Sequence, residues 1–203
     1  MPKDWKFSGG VMTSALQVET IQNSAGVAVI DTFPEVDFWQ LDEDHLGGGV
    51  LQSWARVGVE ASGISIGNMP IGSGMTCSND GVFTFPRKGL YKIDVVAIIK
   101  IFADDPNESL NFDVSRDGGS SFLSMHRIEM GSLTSSSEYH TVSVPQFLNV
   151  TSTEDIKLRL RAENATESTT VFMSANSSEY EHLVFNNLET TILFNKVAPM
   201  VSS

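Results

Sequence analysis

The stretch Gly81–Phe102, GVFTFPRKGLYKIDVVAIIKIF, constrains the fold of this chain more than any other. Beyond Gly89, the residues Tyr91, Ile93, Val95, Ala97, Ile99 and Ile101 fall on every second position, the period of an extended strand. The opposite face opens with Lys92 and Asp94, turns apolar at Val96 and Ile98, and closes with Lys100. A strand that is apolar on both sides at its middle belongs inside a packed sheet, with neighbours on each face.

Other segments repeat the two-residue period. In DIKLRLRAE, Ile156, Leu158, Leu160 and Ala162 point one way and Lys157, Arg159, Arg161 and Glu163 the other. Leu110, Phe112 and Val114 alternate with Asn111, Asp113 and Ser115. RDGGSS then supplies the positive-φ residues of a hairpin turn. YHTVSVPQFLNV is a further strand, and Pro145 within it marks an edge or a bulge, because proline donates nothing to a ladder. VLQSWARVGVEA, TTVFMSA and LETTILFNKVA complete the series. No segment of helix length keeps a helical period. With 41% hydrophobic residues, enough for a real core, these patterns predict an all-β chain of about 8–10 strands in two packed sheets.

Residues 1–48 read differently. Short apolar pieces are separated by Ser, Gly, Asn and Pro, and the segment ends in the acidic DEDH and then Gly47–Gly49, a linker signal. The expected division is a docking arm over 1–48 and a β-domain over 49–203. The arm's apolar residues need a surface to cover them, so Val18, Ile21, Val27, Ile30, Phe33 and Trp39 are its expected docking residues.

Charge and motifs exclude more than they assign. A net charge of −12 disfavours nucleic acid and anionic membrane surfaces as partners, since both need a basic face. The single cysteine, Cys77, sits in a polar turn with no histidine close in sequence, which predicts a structural role. The N-terminus carries no secretory signal and no segment is long and apolar enough to span a membrane, which predicts synthesis in a cytoplasm. His45, His126, His140 and His182 have no second ligand at metal spacing; His126 and His140 lie in strand patterns that can meet across a sheet. Asp42–His45 lacks the spaced oxygens and the glycine of a calcium loop, and the glycine-rich SGISIGNMPIGSG lacks the lysine of a phosphate loop. No catalytic centre, cofactor or metal site is expected.

Three resemblances add to this reading. SRDGGSSF, through Ser115, Asp117, Gly118, Gly119 and Phe122, resembles the Asp-box hairpin of sialidase-type propellers, a turn-stabilising motif. It occurs once here, with no propeller repeat around it. Phe83, Phe85, Gly89 and Tyr91 in the opening stretch resemble the signature of the jelly roll shared by complement globular heads and tumour necrosis factor. LETTILFNKVA resembles that family's closing strand. This implies a jelly-roll β-sandwich over roughly residues 50–198, preceded by an extended N-terminal arm. It also implies a homotrimer packed about an apolar axis, with Tyr91 and Phe194 at the subunit interface. SALQVETIQNSAGVAVIDT is similar to segments of tailed-bacteriophage virion proteins that precede a β-structured appendage.

Together the resemblances imply a non-enzymatic virion protein, a capsid decoration (cement) protein or head fibre, whose arm docks on the major capsid protein or another virion protein. Two alternatives stay open: a tail or neck fibre knob that binds a host surface glycan through loops such as Asp104–Ser109 or Ser174–His182, and a lectin-like jelly roll unrelated to phage.

Overall fold

The computed structural model describes residues 20–22, 28–31, 35–57, 70–101, 108–129, 138–165, 170–174 and 190–198. All elements in these ranges are strands: β1 (Thr20–Gln22), β2 (Ala28–Asp31), β3 (Val36–Leu41), β4 (His45–Leu46), β5 (Gly49–Val50), β6 (Trp54–Arg56), β7 (Thr76–Cys77), β8 (Phe83–Thr84), β9 (Gly89–Ile101), β10 (Ser109–Ser115), β11 (Leu123–Glu129), β12 (Glu138–Val150), β13 (Lys157–Glu163), β14 (Thr170–Phe172) and β15 (Thr191–Ala198).

The chain divides into two units, Met1–Phe33 and Pro34–Ser203. In the first, β1 and β2 pair antiparallel as their own two-stranded sheet, with Ile21 opposite Ile30. The second is a sandwich of two antiparallel sheets. The larger runs β4-β14-β9-β15-β3-β6, with β12 on the other edge of β9; the smaller runs β11-β10-β13-β8-β7, with β5 also on β13.

β9 is the strand its sequence predicts. Tyr91, Ile93, Val95, Ala97, Ile99 and Ile101 are all buried between the sheets, and Ile98 is buried on the opposite face. β12 pairs along its whole length, from Glu138 opposite Ile101 to Val150 opposite Gly89. Gly89 holds a φ of +152°, and a Cβ there would come within 2.5 Å of the Lys196 Cε, so glycine is needed where β15 crosses the start of β9. β13 buries Leu158, Leu160 and Ala162 and leaves the alternate side half-buried, with the alternation its sequence predicts. The β10–β11 hairpin turns at Gly118 (φ +74°) and Gly119 (φ +102°). The Ser115 hydroxyl accepts the Gly119 N–H at 2.8 Å, and the Asp117 carboxylate accepts the Ser121 N–H at 2.9 Å.

The aromatic centre of the core is Phe83. Its ring lies 5.6 Å from Trp39, 5.5 Å from Trp54 and 5.0 Å from Phe194, and all but Trp54 are buried. Pairs of this geometry add to plain area burial.

The expected boundary at residue 48 is corrected. β3 pairs with β15 and β6, and the segment 45–50 strides from one sheet to the other, through β4 on β14 and β5 on β13. The acidic and glycine-rich stretch is therefore a strap across the sandwich. The first compact unit ends at Phe33.

Candidate functional site

Among the described residues, β11 and β12 are the long strands that have a single partner: β11 pairs with β10, and β12 with β9, whereas the other one-partner strands are two to four residues long. They belong to different sheets, so the sandwich gapes between them. A bulge between Phe112 and Asp113 shifts the β10–β11 register at the same place. The result is a shallow apolar dent open to solvent, with enclosed room for about one water. Its floor is Ile93, Phe112, Val114 and Leu158, all core residues. Met125 from β11 and Phe147 from β12 form its rim, 51% and 60% exposed, and Leu123 on β11 is 72% exposed. Gln146 is the polar side chain in the lining. Such a site binds by burial of apolar surface and holds no proton donor or acceptor suited to acid–base chemistry.

A second surface is the outward face of the large sheet. Strand register places Pro145, Asp94, Leu193 and Phe38 in one row across it, with Ser143, Val96, Thr191 and Gln40 in the next. Phe38, Val96 and Leu193 are half-buried, and Ile98 lies buried close by. Lys92 Nζ meets Asp94 Oδ2 at 2.8 Å on the same face.

Pro145 sits on the free edge of β12, where its missing N–H costs no ladder bond.

The residues expected at a subunit interface lie elsewhere. Tyr91 is fully buried within one chain, its hydroxyl donating to the Arg87 carbonyl at 3.0 Å and its ring 4.9 Å from Phe85. Phe194 is 1% exposed and packs on Phe83 and Phe85. Both side chains are committed to the sandwich core, so the contact expected of them is reassigned to the faces and edges that remain open.

Trp39, expected to dock the arm, is likewise a core residue. Its Nε1 donates to Asp37 at 2.9 Å and the Arg56 guanidinium stacks 4.7 Å above its ring. Asp37 is 1% exposed and also accepts Arg56 Nε at 2.9 Å and the Met75 N–H at 2.7 Å, while Arg56 reaches on to the Met75 carbonyl. Glu35, 2% exposed, accepts the Ser73 N–H at 2.8 Å and pairs with Arg87 Nε at 2.8 Å. The two acids lash the start of the domain to the 70–77 segment, a structural task. Ile21 and Ile30 fall in β1 and β2; Val18, Val27 and Phe33 lie outside the described residues, as do His182 and most of the loops expected to meet a glycan.

Other polar groups have structural tasks. Asp113, 2% exposed on the outer face of β10, accepts Arg161 Nε at 2.7 Å and Arg159 at 3.2 Å, and Arg159 stacks 4.0 Å above Phe122. The Ser121 and Ser115 hydroxyls hold the Asp117 carboxyl down to about 2. Burial pushes the Cys77 thiol up to about 12, the wrong direction for a nucleophile. His126 lies in β11 and His140 in β12, strands of different sheets, so they do not meet across one sheet. Among the described residues no three His, Cys, Asp or Glu side chains gather to hold a metal ion.

No family model matches the chain, and no curated protein sequence matches it. Solved structures do. Eiger TNF from S. frugiperda superposes with a TM-score of 0.55 at 10% identity, covering 84% of this chain and 96% of that one. Murine APRIL at pH 5.0 gives 0.50 at 13%, covering 81% and 99%. At these identities the likeness is one of fold: the sandwich is a jelly roll of tumour-necrosis-factor type.

Proposed function

We propose that this chain is a non-enzymatic structural component of a tailed-phage particle. Three copies associate through their jelly rolls, and the N-terminal unit attaches the trimer to the major capsid protein or another virion protein. The observation that carries the reading is the open apolar edge of the sandwich. Leu123, Met125 and Phe147 stand exposed around a shallow dent floored by core residues, the kind of surface that marks an association site. The edge differs from the half-buried apolar face of β3, β9 and β15. Contact between the two in neighbouring copies is head-to-tail, and a head-to-tail contact with suitable rotation closes a ring. The resemblance to tumour necrosis factor supports three as the number in that ring.

The separate β1–β2 sheet supports the docking role of the first unit. Two strands alone are marginal in water and gain from a partner surface. The acidity of the chain, −12 overall, suits a component that stays soluble at high copy number and avoids the packaged nucleic acid.

The test is deletion of residues 1–33, the first compact unit. The truncated protein is expected to stay soluble with its sedimentation class unchanged and to lose incorporation into particles, scored by gel analysis of gradient-purified virions. Incorporation at the wild-type level contradicts the docking assignment.

A further inference from the structure

The strap at residues 45–50 holds a histidine in an unusual setting. It joins the two sheets through the two-residue pairings of β4 on β14 and β5 on β13, supplemented by the Gly47 N–H donating to the Thr170 carbonyl and the Leu51 N–H to the Leu160 carbonyl, each at 2.9 Å. His45 sits at the crossing. Its ring packs edge-on to Phe172, centroids 6.1 Å apart, and Gly49 closes over it, since a Cβ there would stand 3.9 Å from Cε1. Its Nε2 is buried and meets no donor or acceptor among the described residues.

We propose that His45 makes this strap an acid-released latch: neutral, the ring holds the strap between the sheets, and protonation frees it while the rest of the sandwich stays folded. The ring tolerates burial when neutral, because one bare nitrogen in apolar surroundings costs less than a charged N–H with no acceptor. Burial lowers the pKa of His45, and a hydrogen bond from the ring to the Gly48 backbone opposes this and raises it.

Charged groups on the neighbouring elements are engaged in their own contacts. Asp44, next on the strap, accepts the Ser174 N–H at 2.7 Å. Glu108 holds the Thr170 hydroxyl on β14, and Lys100 on β9 lies 5.5 Å from the Tyr139 ring. On β13, Arg161 pairs with Asp113 and Glu163 accepts from Asn111.

The sign follows from linkage. A histidine whose folded pKa is depressed binds its proton more readily once released, so closure is fully favourable above the ordinary pKa of about 6.5. Closure weakens as pH falls below that, by up to about tenfold per unit, until the folded pKa is reached. The latch is independent of the trimer and of the docking arm.

Amide hydrogen exchange on the full chain between pH 7.5 and 5 tests it, read as protection factors at Gly47 and Leu51, with Ile93 and Val95 as the body reference. In the wild type the strap amides are expected to lose about tenfold or more of their protection over this range while the β9 amides keep theirs. In His45→Gln, and in His45→Phe as a second variant, the ratio of strap to β9 protection is expected to stay constant with pH. A constant ratio in the wild type, or an equal fall in both variants, overturns the proposal.

Discussion

Replacing Phe83 with alanine is expected to cost about 4 kcal/mol of unfolding free energy and to lower the melting temperature by roughly 10 °C. Phe83 is fully buried, and its ring touches Trp39, Trp54 and Phe194, which come from β3, β6 and β15 of the large sheet. Truncation removes the transfer free energy of the ring. It also leaves a void that three large, mutually braced aromatics cannot collapse to fill. Denaturant unfolding at fixed protein concentration measures the loss, since the proposed association would also contribute to apparent stability. A cost below about 1 kcal/mol contradicts the placement of Phe83 at the hub. Phe83 also tests the corrected boundary, because Trp39 belongs to this cluster only if β3 is part of the sandwich.

The second large effect concerns association. The double change Met125→Glu and Phe147→Glu is expected to convert the assembly to monomers with the sandwich intact. Both side chains are more than half exposed in the single chain, so charges there are solvated and the monomer's fold is little affected. At a subunit contact the same carboxylates lose water without gaining a partner, which costs several kcal/mol for each. Sedimentation velocity separates the outcomes, with circular dichroism as the control for folding. A variant that sediments as the wild type does removes the open edge from the interface.

Much of this architecture was legible in the chain itself, for identifiable reasons. β9 and β13 alternate cleanly, and their buried positions follow residue by residue. The hairpin at Gly118 and Gly119 announces itself through residues that accept positive φ. The difficulty with Tyr91 and Phe194 was one of face. β9 is apolar on both sides, so alternation groups Tyr91 with Ile93 and Val95 without telling whether that face meets the other sheet or another subunit. Trp39 was misplaced because Gly47–Gly49 reads as a linker, whereas strands of two residues such as β4 and β5 carry no periodic signal at all.

The polar anchors were illegible for a different reason. Asp37 finds Arg56 nineteen residues on and the Met75 amide thirty-eight on, and Glu35 finds Arg87. Nothing local marks an acid as buried when its partners come from other strands and turns. The open edge was invisible for the same cause. Leu123 and Met125 look like ordinary strand residues until β11 and β12 are seen to end different sheets.

Sedimentation equilibrium of the full chain in solution tests the central claim most directly. The account predicts a single species at three times the 22.1 kDa of one chain, at concentrations down to the low micromolar range. A mass of 22.1 kDa over the same range would contradict it.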